Sequence, residues 1–292
     1  MLDVIPYANL QHKQAVQRYW GIQSNRAGSE LAEHVQRPRF QAFRVISALM
    51  IREMTTRYGR SPGGYLWAIA EPVGMIALLS IAFSQFLRTP PLGSSFILFY
   101  SSGYLPFAFF MTINAFTSSA VSGNRPLMKY PMVSPMDTVL ARAALQTLTM
   151  VVVTVVILAG LGFWLDEPIT LSLFNLILAF LAAIILGLGG GMLNVVIFAF
   201  FPFYKNVWSI VTRPLFIVSG IFYTVESMPT TAQNILVFNP LVHISGESHK
   251  AFYPIYDGDF VFLAYPIGLG VFFMLLGGAL MLRHRTFIIE NS

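Results

Sequence analysis

The sequence predicts an all-α polytopic membrane protein, with six transmembrane helices preceded by an amphipathic interface helix and a re-entrant outer hairpin between helices 5 and 6. Three observations lead there. Only 11% of the 292 residues are charged and 55% are hydrophobic, with a mean hydropathy of +0.65, far from the composition of soluble domains. The apolar residues fall in runs of about twenty, which cross a ~30 Å hydrocarbon core at 1.5 Å per residue, so helices are expected rather than the short alternating strands of a barrel. The bases are also sorted to one side. Residues 1–65, the 119–138 loop, the "PFYKN" turn and the C-terminal tail, with Arg142, hold fifteen of the eighteen Lys and Arg.

In chain order, residues 1–39 are a polar N-terminal extension without the basic start, apolar core and cleavage site of a signal peptide. Residues 40–60 include "FQAFRVISALMIREMTTRY", which sets Phe43, Ile46, Met50 and Met54 on one helical face and Arg44 and Arg52 on another. That pattern is too polar to span and suits a helix lying in the cytoplasmic interface. Residues 61–285 form the transmembrane domain, with spans expected at about 66–86, 96–118, 139–164, 173–200, 207–223 and 260–282; residues 286–292 are a tail. Sorted bases place both termini in the cytoplasm. Residues 224–259 lie outside, and "AQNILVFNPLVHI" there is apolar yet too short to cross. Short helices dipping in from outside are expected, forming an outer gate.

Charge inside the spans is costly, about 2.5–3.5 kcal/mol near the bilayer centre. Glu71, Arg142 and Arg213 are therefore the candidate buried charges. Glu71 in the first span and Arg213 in the fifth reach similar depths, so Glu71 is expected to face Arg213, or failing that Arg142, either holding helices together or lining a substrate path. Pro72 and Pro214 follow two of these charges and favour kinks. Gly187 and Gly191 have the spacing that lets helix backbones approach, for packing within the chain or between chains. Trp67, Phe83, Phe86, Tyr100, Tyr104, Phe107 and Phe110 are aromatic; most such residues pack in the core or face lipid, but a subset offers flat walls for sugar rings.

Several chemistries are excluded. Without cysteine there is no disulfide, thiolate metal site or cysteine nucleophile. His243, His249 and His284 lack metal-ligand spacing, and no metal site is expected; no P-loop motif is present to hold ATP phosphates. No nucleophile–base–acid set appears. The net charge of +5 comes from bases flanking spans, which argues against nucleic acid as a partner.

The run Arg57, Tyr58, Gly59, Arg60, Leu66, Trp67, Glu71, Pro72, together with Pro240, His243, Gly246 and Glu247 in "NPLVHISGESHKAFYP", resembles the permease subunit of ABC-2 type exporters. Among these it looks most like the inner-membrane subunit of bacterial capsular polysaccharide exporters. The resemblance covers residues 40–285. It implies a homodimer in the inner membrane with a polymer channel between the copies, and a lipid-linked polysaccharide as substrate. It further implies a separate ABC ATPase carrying the ATP and Mg, with no cofactor on this chain. Arg57, Arg60, Arg125 and Lys129 would then contact the ATPase, and His243, Glu247, Lys250 and Tyr253 would sit at the outer gate. Periplasmic and outer-membrane export proteins are further implied partners. The competing readings are an ABC-2 permease for O-antigen, teichoic acid or another cargo, and an ion-coupled secondary transporter.

Overall fold

The structure is a computed structural model that describes residues 41–58, 63–129, 133–165 and 170–291. By their contacts, residues 1–44 and 45–292 form two units, and of the first only the opening turn of α1 is described. The expected extension 1–39 therefore lies outside the described residues. Every regular element among the described residues is helical.

The first helix, α1, spans Gln41–Tyr58. Ile46 and Met50 are half-buried while Phe43, Ile51 and Met54 stay exposed. Five helices are long and apolar enough to cross a membrane: α2 (Gly64–Ser84), α3 (Phe96–Ser118), α5 (Pro135–Trp164), α6 (Leu173–Phe200) and α10 (Ala264–Arg283). They match five of the expected runs. Between α3 and α5 lie the short α4 (Ala120–Asn124) and a 3-10 turn, Arg125–Lys129. Helix starts follow their capping chemistry. Ser134 and Asp137 form a reciprocal capping box at α5, with Pro135 in the first turn where its missing N–H costs nothing.

The fifth expected span, 207–223, is not a single helix. Helix α7, Tyr204–Ile217, has 14 residues, about 21 Å at 1.5 Å per residue, short of a bilayer core. Pro214 lies inside its last turn and cannot donate to the ladder. Beyond it the chain turns at Gly220, whose φ of 73° is readily adopted only by glycine. Residues 219–221 are nonetheless buried. Two short helices follow, α8 (Thr230–Leu236) and α9 (Pro240–Phe252). Asn239 caps α9 by accepting from the Leu241 N–H at 3.0 Å, and all but two of the residues of α9 are buried, where it packs against α3 and α6. The chain ends with α10 and a short α11 (Arg285–Asn291).

Helix α6 is the centre of the bundle, packed against α3, α9 and α10. Its glycines explain how. Gly187 and Gly191 lie against α3, at the Phe110 carbonyl and the Thr117 side chain, so this pair serves packing within the chain. On the opposite side Gly189 meets Gly270 of α10, and a Cβ on Gly189 would collide with the Gly270 carbonyl. Gly189→Val is therefore expected to destabilise the domain by at least the ~1–3 kcal/mol of a typical overpacked site, because the obstructing atoms are backbone. Thermal unfolding in detergent checks this against Gly160→Val, since a Cβ at Gly160 meets nothing within 4 Å.

Burial is uneven across the spans. In the most apolar stretch of α3, 72% of residues are buried, against 22% for α2. Helix α3 is thus the internal strut, and α2 presents most of its surface outward.

Candidate functional site

Two open cavities flank α3, and Met111 and Ala115 line both. The first, about 540 Å³, lies between α2, α3 and α5, and its walls include Trp67, Glu71, Tyr104, Thr112 and Gln146. The second, about 460 Å³, lies between α3, α6 and α7, and Lys205, Trp208, Thr212 and Asn114 line it with several serines. Each volume falls in the range of small-ligand clefts. The walls pair aromatic faces with amide and hydroxyl groups, a surface suited to hydroxyl-rich rings.

The structure brings Trp67, Glu71 and Tyr104 together in the first cavity and separates the other aromatic candidates. Tyr100 is wholly buried and Phe110 is 5% exposed, so neither borders open space here. Tyr100, Phe83, Phe222, Phe216 and Phe107 instead form a run of ring contacts joining α2, α3 and the chain leaving α7, with centroid spacings of 5.0–5.5 Å between successive rings. Phe86, at 85% exposure, points away from the bundle. The long apolar rings were packed together because burying them is worth more than displaying them.

The charges are arranged differently from the expectation. Glu71 and Arg213 are both exposed, and among the described residues no ion pair joins them. Arg142 is engaged elsewhere: its guanidinium lies 2.6 Å from Glu53 of α1. Arg52 sits 3.8 Å from the other oxygen of the same carboxylate. The counter-charge to Arg142 thus comes from Glu53 of α1 and not from Glu71 of α2.

The chain between α7 and α9 is fastened by polar side chains. Gly220 and its neighbours have no helix to satisfy their carbonyls, and buried backbone must find partners. Ser245 donates to the Ser219 carbonyl at 2.6 Å, Asn239 to the Val218 carbonyl at 2.9 Å, and the His249 Nε2–H faces the Gly220 carbonyl at 3.2 Å. With Nε2 protonated, His249 Nδ1 accepts from the Ser102 hydroxyl at 2.9 Å, and its ring stacks on Phe99 with centroids 5.0 Å apart. Ser248 adds a bond to the Ser102 carbonyl at 2.6 Å. One face of α9 therefore stitches non-helical chain to α3.

His249 lies outside the five spans, and burial lowers its imidazole from the ordinary 6.5 to about 4. The sign follows from proton counting. Between those values the unfolded chain binds a proton that the folded chain refuses, so stability falls as pH drops below 6.5 and levels off below about 4. The loss amounts to roughly 3 kcal/mol over that window. Melting temperature in detergent should decline from pH 7 to pH 5, and His249→Gln should flatten that decline.

The four gate candidates sit in distinct places. His243 bonds the Val237 carbonyl at 2.8 Å and accepts from the Phe262 N–H at 3.1 Å, tying the start of α9 to the approach to α10. Glu247 is 8% exposed; burial raises its carboxyl pKa, and nearby Lys250 opposes the rise. The Lys250 stem lies against Gly258. Tyr253 covers Gly93 and lines a cavity of about 850 Å³ with Glu226, Tyr256, Asp257 and Asp259. Of the ATPase-contact candidates, Arg125 is exposed and bonds the Glu290 carbonyl. Arg60 and the side chains of Arg57 and Lys129 lie outside the described residues.

The described residues thus form a helical bundle with five helices long and apolar enough to cross a membrane and two open clefts beside α3. The family model described as ABC-2 type transporter matches residues 44–246, and the chain belongs to that family. It is 37% identical over 223 residues to the polysialic acid transport protein KpsM of Escherichia coli, covering 75% of this chain and 85% of that one. Similarity extends to the capsule polysaccharide export inner-membrane protein CtrC of Neisseria meningitidis serogroup A, at 31% over 204 residues, 68% of this chain and 76% of the relative. BexB of Haemophilus influenzae, of the same description, is 26% identical over 253 residues, 85% of this chain and 93% of the relative.

Proposed function

We propose that this chain is the permease subunit of an ATP-driven exporter that moves a lipid-linked capsular polysaccharide across the inner membrane. The observation that carries the reading is its membership of the ABC-2 transporter family, with relatives described as a polysialic acid transport protein and as capsule polysaccharide export inner-membrane proteins. ATP would be bound and hydrolysed by a separate ABC ATPase, in keeping with a sequence that has no P-loop. Both termini face the cytoplasm, and the α8–α9 hairpin enters the membrane from the outer side.

The permease works as a homodimer. Helix α2 leaves most of its surface uncovered, and it carries Glu71, while α7 carries the exposed Arg213. Charges at membrane depth face protein or water rather than lipid, which supports a second copy across a polar path. The groove of Trp67, Glu71 and Tyr104 then borders that path, its rings stacking on sugar faces and its polar groups exchanging hydrogen bonds with hydroxyls. Glu71→Gln and Arg213→Gln are each expected to lower transport about tenfold, equivalent to ~1.4 kcal/mol, with expression preserved; intact transport in both would remove these charges from the path.

The reading is tested by co-expressing the chain with the ATPase encoded beside it. A stable complex in nanodiscs whose ATP turnover changes when lipid-linked polysaccharide is added is the expected result. No complex, or turnover indifferent to the glycolipid, would count against it.

A further inference from the structure

The cytoplasmic end of the bundle contains a polar joint that neither the family match nor the cavities explain. Helix α3 stops at Ser119, where φ and ψ of −95° and 5° break the helix before α4 begins. Arg142 of α5 lies on that break: its Nη1 donates to the Ser119 carbonyl at 2.7 Å and to the Ser119 hydroxyl at 3.2 Å. Its Nη2 meets Glu53 of α1 at 2.6 Å, with 14% of each side chain exposed. The guanidinium lies against Gly123 of α4, where a Cβ would meet it. Beside it Arg52 donates to Asn124 at 2.7 Å, and Asn124, 3% exposed, is held by its own bond to the Ala120 carbonyl at 3.0 Å.

One guanidinium therefore touches three elements at the point where the chain pivots into residues 120–129. Half-buried ion pairs contribute little net stability, because desolvation offsets attraction. What they do supply is register, since a charge deprived of its partner in such a place is penalised. The arrangement fixes how α1, α5 and residues 119–124 sit against one another.

We propose that Glu53 and Arg142, supported by Arg52 and Asn124, form the joint through which displacement of loop 120–129 is carried to α1 and α5. They are positioning residues of the transport cycle. The inference rests on the reading of the chain as a subunit driven by a separate ATPase.

The chain has no cysteine, so spin labels can be placed at Thr55→Cys on α1 and Ser122→Cys on α4 without removing native thiols. In the complex with its ATPase, the label distance should form one narrow population that shifts between nucleotide-free and ATP-trapped states. Glu53→Gln and Arg142→Gln should broaden the population and abolish the shift. They should also lower glycolipid moved per ATP by about tenfold, within the range of coupling energies between sites, while ATP hydrolysis continues. Arg142→Lys, which keeps a cation for Glu53 and a donor for the Ser119 carbonyl, should restore part of both readouts; a structural role alone would lower yield without separating hydrolysis from transport. Single variants that track nucleotide like the wild type, or an Arg142→Lys variant no better than Arg142→Gln, would overturn the joint and leave the ATP-driven reading standing. A wild-type complex whose distance and transport ignore ATP would overturn the reading itself, and the joint with it.

Discussion

Replacing Ser245 with alanine and His249 with leucine together should leave the hairpin unable to hold its place. Each change removes the donor to a buried carbonyl, Ser219 in one case and Gly220 in the other. An unsatisfied buried polar group costs about 1–3 kcal/mol, so the pair should cost roughly 2–6 kcal/mol, a large share of the 5–15 kcal/mol that holds a typical domain folded. The Ser102 hydroxyl escapes this penalty, because it can turn to the Phe99 carbonyl at 2.8 Å. Thermal unfolding in detergent should show the loss, and His249→Gln, which keeps a donor, should recover part of it. A double variant as stable as the wild type would mean that the 218–220 carbonyls find partners other than α9.

Filling the groove should stop transport without unfolding the protein. Ala115 lies on α3, is exposed, and borders both cavities. A tryptophan there adds a ring to the space that Thr112, Phe116 and Trp67 now surround. Glycolipid export by Ala115→Trp is expected to fall at least about tenfold, or ~1.4 kcal/mol, with complex formation and melting temperature unchanged. Its own helix surroundings do not crowd the site, so a failure to assemble is not expected. Undiminished export would move the substrate path away from α3.

Much of the fold was legible because burial length and charge sorting are properties of local sequence. Five apolar runs became five spanning helices with nearly the expected ends. The fifth expected run, 207–223, is helical only as far as Ile217, and the reason is physical: residues 218–223 are largely apolar, and hydropathy cannot tell a helix from irregular chain whose carbonyls are satisfied by a neighbour. The signals that would have separated them were Pro214, Gly220 and the distant Ser245 and His249, which lie four apart and so share one face of α9. Their partners are more than twenty residues away, beyond any local pattern.

The candidate site was legible in part. Trp67, Glu71 and Tyr104 converge as aromatic and charged residues near the start of one span and along the next. Tyr100 and Phe110 were indistinguishable from them by composition, because which face of α3 turns inward depends on α6 and its glycines. Glu53 went unnoticed as Arg142's partner, since a lone acid on a basic interface helix reads as an ordinary solvated charge until α1 is seen beside α5.

The most direct test of the account is uptake of lipid-linked polysaccharide by inside-out proteoliposomes that contain this chain and its ATPase. The account predicts that glycolipid becomes protected within the lumen only when hydrolysable ATP is supplied, and that dissipating proton and sodium gradients leaves uptake unchanged. Uptake driven by an ion gradient in the absence of ATP would contradict it.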